Sequence, residues 1–149
     1  MKMTLQTLAP VVLLGLAGCA ATLPPQQAAP GCPSATALRA SDLYGAWRVE
    51  LPQAGLAGTL ILSQHPEFSD SLRGRFSYGA ITSIAAGDVE AGEFSLDESR
   101  DGKDLFAVWS GQVTPQSCGR EIRGRWEPVD DPPSLPASDF VLRRVAPAP

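Results

Sequence analysis

One histidine, three cysteines and a run of carboxylates are the residues of this chain best suited to ligate a metal, attack a substrate or exchange protons. The histidine, His65, precedes Pro66 in a stretch that reads as a loop. With no second histidine and no closely spaced thiols it does not make a zinc site, which takes three or four such ligands. No Gly-x-Ser-x-Gly elbow accompanies it, so a hydrolase triad lacks its nucleophile. Asp97-Glu98-Ser99-Arg100-Asp101-Gly102 follows the opening of a calcium loop, but Ser99 stands at the middle ligand position. The closing glutamate is replaced by Val108, and Asp101-Gly102 reads more simply as a turn. The carboxylates of this stretch are expected on an exposed rim, with nothing apolar to raise a pKa for acid–base work. The expectation is a non-enzymatic protein with no catalytic residue, no metal and no cofactor, which leaves the cysteines.

The first cysteine closes an N-terminal segment with one charge, Lys2, and an apolar run from Ala9 to Leu16. That run is shorter than the ~20 residues a membrane-spanning helix needs. Its end, Leu16-Ala17-Gly18-Cys19, resembles the lipobox of bacterial lipoproteins. The resemblance implies that residues 1–18 are a signal peptide and that Cys19 becomes the first residue, carrying diacylglycerol and an N-acyl chain such as palmitate. Several acyl chains hold a protein to a bilayer where one is marginal. Ala20 stands where an aspartate would mark inner-membrane retention. The resemblance therefore implies a lipid-anchored protein of the outer membrane, facing the periplasm. Residues 19–40, rich in Ala, Pro and Gln, lack hydrophobic periodicity and read as an extended tether. Residues 146–149 read as a disordered tail, leaving residues 41–145 as the folded domain. A net charge of −4 excludes a basic nucleic-acid-binding surface.

From Leu43 onward the apolar period is two, which predicts strands. Gly45, Trp47, Val49 and Leu51 share the face of a first strand, and Leu60 and Leu62 mark a second over 59–63. Leu72, Gly74, Phe76 and Tyr78 mark a third, and residues 81–91 form a fourth. Phe94 and Leu96 mark a fifth, and Leu105, Ala107 and Trp109 a sixth. Ile122, Gly124 and Trp126 mark a seventh, and Phe140 and Leu142 an eighth. Four times a glycine lies two residues before an aromatic (Gly45/Trp47, Gly74/Phe76, Gly92/Phe94, Gly124/Trp126), a pattern that lets a strand coil while a ring covers the gap. The fold class is all-β, an eight-stranded antiparallel up-and-down barrel. Such a barrel is filled by side chains or holds one small ligand.

Alternate connections of this topology fall at opposite ends. The near end takes both termini and the loops 64–71 and 114–119; the far end takes the loops 52–58, 97–104 and 127–138. If Cys19 is lipidated, Cys32 and Cys118 remain as an even pair in an oxidising compartment, both at the near end. A Cys32–Cys118 disulfide is expected. The far end collects Asp97, Asp101, Asp130 and Asp131, with a long loop stiffened by Pro128, Pro132, Pro133 and Pro136, as a rim for a partner. Strand six is apolar on both faces, which makes Phe106 and Val108 an outer patch for self-association.

Gly45-Ala46-Trp47, Leu72–Phe76, Trp109-Ser110-Gly111-Gln112 and Ile122–Trp126 resemble the strand landmarks of avidin-type barrels over residues 43–143. Avidin also joins an N-terminal cysteine to one that follows the equivalent of the sixth strand. Lipocalins share the Gly-x-Trp opening, and their terminal arginine on that tryptophan corresponds to Arg143 or Arg144. The likeness implies a calycin-like fold rather than biotin binding. Phe76 replaces the family's ligand-bonding tyrosine, and Leu105 and Ala107 replace its hydroxyl residues. Losing such partners removes most of a polar ligand's affinity. What remains is an interior of Trp47, Phe76, Trp109 and Trp126 that suits an apolar small ligand. The functional expectation is a binding module for such a ligand or for an envelope protein. The alternatives are a protease or lysozyme inhibitor and a structural lipoprotein with a filled barrel.

Overall fold

Alternation with period two gives each strand one face for a core and one for water. In β3 (Leu72–Tyr78), for example, Leu72, Gly74, Phe76 and Tyr78 are buried while Arg73, Arg75 and Ser77 point out. The computed structural model describes residues 31–146 and carries eight such strands. The others are β1 (Gly45–Leu51), β2 (Leu56–Gln64), β4 (Ile81–Glu90), β5 (Glu93–Ser99), β6 (Ala107–Val113), β7 (Glu121–Pro128) and β8 (Ser138–Arg144). Each pairs antiparallel with the next, and β8 pairs back onto β1, so the sheet is a closed up-and-down barrel compatible with a calycin-like fold. The residues of Cys19 and the 1–18 signal segment lie outside the described ones.

Closing so small a barrel forces backbones together where strands coil. A Cβ on Gly124 would lie 2.1 Å from the Ser110 carbonyl oxygen. On the facing strand, one on Gly111 would lie 2.7 Å from the Phe140 ring. Gly92, by contrast, is no coil point. It sits in the turn between β4 and β5 at φ +87°, where a side chain is strained.

The near end is shut. Leu38 and Ala40 are buried, and the short 3-10 turns Ala35–Ala37 and Ala40–Leu43 pack under the barrel. The folded unit thus reaches back past residue 41 into the segment read as tether, because Leu38 and Leu43 supply the apolar plug that the strands lack. Trp47 Nε1–H donates to the Leu43 carbonyl at 2.9 Å, and the Arg144 guanidinium donates to the Asp42 and Tyr44 carbonyls. That guanidinium stands 5.6 Å from the Trp47 ring centre, the role expected of Arg143 or Arg144. Cys32 and Cys118 form the expected disulfide, with Cα atoms 4.9 Å apart.

The interior is packed with rings. Trp47, Phe76 and Trp109 are wholly buried and Trp126 is 1% exposed. Phe76 stacks on Trp109 at 4.6 Å between centroids, and Trp109 meets Phe140 at 5.0 Å and Trp126 at 6.4 Å.

Candidate functional site

Buried polar side chains gather at the far end. On β5, Phe94, Leu96 and Glu98 all face inward, and Glu98 is 1% exposed. Its Oε2 accepts the indole N–H groups of Trp109 at 2.9 Å and Trp126 at 3.0 Å, and its Oε1 accepts the Ser83 hydroxyl at 2.6 Å. A carboxylate taken out of water keeps its place only when its oxygens are hydrogen-bonded. Here three neutral donors do that, and no lysine or arginine forms a salt bridge with it among the described residues.

This corrects the sequence reading of an exposed acidic loop from Asp97. The strand runs on to Ser99, so Asp97 and Glu98 fall on opposite faces. The first half of the calcium-like spacing therefore lies on a strand, and Asp101 Oδ1 is already engaged by the Ser99 hydroxyl and the N–H groups of Lys103 and Asp104. The periodicity carried the signal, since Glu98 continues the 94, 96 alternation. A carboxylate at that position simply reads as a surface residue.

Tyr78 ends β3 beside this cluster. The residue is 6% exposed, and its hydroxyl is buried with no partner. Burial, then the Glu98 charge, pushes the phenol's pKa far up, and the Arg100 charge draws it partly back. Arg100 belongs to the loop 100–106, and its guanidinium carbon lies 3.5 Å from the centre of the Phe106 ring. Phe106 packs inward over the mouth, 6.0 Å from Trp126, because the Phe106 N–H bonds the Glu98 carbonyl and Val129 N–H bonds the Phe106 carbonyl. The expected outer patch of Phe106 and Val108 is therefore divided: Phe106 rests on the core while Val108 stays on the wall. Leu105, expected to face inward with Ala107 and Trp109, is 46% exposed because β6 begins only at Ala107.

The four rim aspartates are not equivalent. Asp97 stands on the outer wall of β5 and Asp131 is exposed in the loop 129–137. Asp101 and Asp130 organise their own loops. Backbone N–H groups of Asp104 and Lys103, then the Ser99 hydroxyl, hold the Asp101 carboxyl below its ordinary range. Hydrogen bonds from Ser134 do the same for Asp130, whose Oδ2 accepts the Ser134 N–H at 2.7 Å while its Oδ1 is buried and unpartnered. The same loop is latched to the β1–β2 turn. Ser138 is fully buried and donates to Gln53 Oε1 at 2.6 Å, and the Asp139 N–H donates to the same oxygen. His65, at the near end, accepts the N–H groups of Glu67 and Phe68 on Nδ1 and so braces a turn.

A groove of about 560 Å³ is lined by Asp88, Glu90, Glu93, Phe94, Ser95, Ser110, Gly111 and Gln112, and touches none of Trp47, Phe76, Trp109 and Trp126. No family model matches the sequence, and no curated protein matches it.

Proposed function

We propose that the chain is a lipid-anchored outer-membrane protein whose barrel is a non-enzymatic binding module for another envelope protein. On this reading Cys19 ties the near end to the bilayer, and the far end is the face turned toward the partner. The observation that carries it is the packed interior: Phe76 is wholly buried and stacked on the wholly buried Trp109, which also meets Phe140 and Trp126, while Trp47 is wholly buried and bonded to the Leu43 carbonyl, so the residues suited to an apolar ligand are already taken up by the protein itself. A filled barrel recognises through its surface. The near end is spent on closure, through the disulfide and the Leu38–Leu43 plug. The far end supplies a proline-rich loop held by Asp130 and Gln53, and ordering a loop before contact lowers what association costs.

Native mass spectrometry of residues 20–149, secreted to a bacterial periplasm, tests this. The expected result is the bare mass of the disulfide form. A bound mass that departs on denaturation would restore the apolar-ligand reading and overturn this one. Anchoring is read separately: Cys19→Ser is expected to abolish metabolic palmitate incorporation and move the protein out of the membrane fraction.

The braced loop 129–137 also favours a second reading, a protease or lysozyme inhibitor, since rigid exposed loops suit insertion into a cleft. That reading rests on analogy of architecture. Unimpaired protease and lysozyme panels in the presence of excess protein would remove it.

A further inference from the structure

The far mouth holds a set of groups that the packing does not explain. A hydroxyl on the 6%-exposed Tyr78 is buried without a partner, and so is Oδ1 of Asp130. A buried polar atom left unpaired is costly, so orphans at this end of the barrel ask for a missing partner. Beneath them, Glu98 is a buried carboxyl bonded only to neutral donors. Above them, the Phe106 ring offers its face, and that face carries negative potential that attracts cations. One cation is already there. The exposed Arg100 lays its guanidinium 3.5 Å from the Phe106 centroid, and its charge is felt by both Tyr78 and Asp130. Yet it makes no salt bridge among the described residues and leaves both orphan oxygens unbonded.

We propose that the far mouth is a binding site for an organic cation, an ammonium or guanidinium group, and that Arg100 occupies it as an internal placeholder. The entering group would displace Arg100 from Phe106, donate N–H bonds to the Tyr78 and Asp130 oxygens, and sit in the field of Glu98. Cation–aromatic contacts at exposed positions are weak enough for such an exchange. The group could belong to a free amine or to an arginine or lysine side chain of the partner. This inference rests on the reading of the far end as the recognising end.

The test is a titration of the mature, isotope-labelled chain in detergent micelles, read at its three indole N–H resonances. Agmatine is the free-cation probe and the tripeptide Gly-Arg-Gly the side-chain probe. Trp109 and Trp126 donate to Glu98 and are expected to shift saturably, whereas Trp47, bonded to Leu43 at the other end, stays still. Arg100→Ala removes the internal competitor and is expected to tighten binding about tenfold. Phe106→Ala, which leaves the Glu98 bonds in place, is expected to weaken it about fivefold. Preference for the tripeptide assigns the site to a partner's side chain; preference for agmatine assigns it to a free amine. Overturning results are no saturable shift in Arg100→Ala, equal shifts at all three indoles, or affinity indifferent to Phe106. Any of these removes the cation site. Such a failure leaves the packed-barrel reading standing, because that reading falls only to a co-purifying mass.

Discussion

The two halves of the barrel are built from the same eight strands but solve different problems. Toward the near end the inward residues are apolar: Trp47, Leu62, Leu72, Phe94, Val113, Ile122 and Leu142 are at most 2% exposed. A disulfide and an arginine over a tryptophan close that end. Toward the far end the same inward register delivers Tyr78, Ser83, Glu98 and Ser138, and the closure is a phenylalanine under a displaceable arginine. Apolar packing stabilises without specifying a partner. A buried polar network fixes geometry at a cost in desolvation and is the costlier choice for stability alone. On the proposed function, the apolar half carries stability and the polar half recognition.

The largest effect should follow from opening the near end. Cys118→Ser frees a loop of 86 residues, and the chain-entropy account puts the loss at up to ~4.5 kcal/mol. Denaturant unfolding of oxidised wild type against the variant measures it. If the halves are distinct in role, the native variant still shows Trp109 and Trp126 indole resonances at their usual positions. A collapse of both would break the comparison.

Next comes the far half. Glu98→Ala leaves two buried indole N–H groups and the Ser83 hydroxyl without their acceptor, for a loss of about 3 kcal/mol. Glu98→Gln keeps an acceptor oxygen and should lose less than half of that. Both indole N–H groups should exchange faster with deuterium in the alanine variant, while the Trp47 indole keeps its protection. Equal stability of the two variants would show that the charge, not the hydrogen bonds, is what the network holds.

The near half was legible in the sequence and the far half only in outline. Apolar alternation named all eight strands, and the parity of the loops put Cys32 and Cys118 together. Leu38 escaped because an isolated leucine in a run of Ala, Pro and Ser shows no period; its burial depends on a barrel end that exists only after closure. Glu98 escaped for the opposite reason, since its period was visible but its side chain contradicted it. Phe106 and Leu105 exchanged roles because a loop that crosses a mouth follows no strand alternation. The gathering of Tyr78, Glu98, Arg100 and Asp130 spans four segments and had no local signature.

The smallest effect separates the ends by pH. The carboxyls of Asp101 and Asp130 lie below their ordinary value of 3.8, held there by hydrogen bonds that their ionised forms accept. A depressed carboxyl contributes stability fully above its unfolded value, and that contribution is lost as pH falls through the folded value. Both groups are exposed enough for solvent to screen them, so the global change should be slight. It should instead be local: as pH falls below the ordinary carboxyl value of 3.8, amide exchange in loops 100–106 and 129–137 should rise relative to the near-end core. Glu121 at the near end is also depressed, first by the hydrogen bond from Arg123, with smaller help from Thr114 and Arg143. It lies on a strand whose neighbours Ile122 and Leu142 are buried, and the Thr114 N–H stays on the Glu121 carbonyl, so its protonation loosens two ion pairs and one hydroxyl contact while the backbone that holds the 114–120 loop stays paired. Acid should therefore mobilise the far mouth first, and simultaneous loosening of both ends would deny the far loops their separate role.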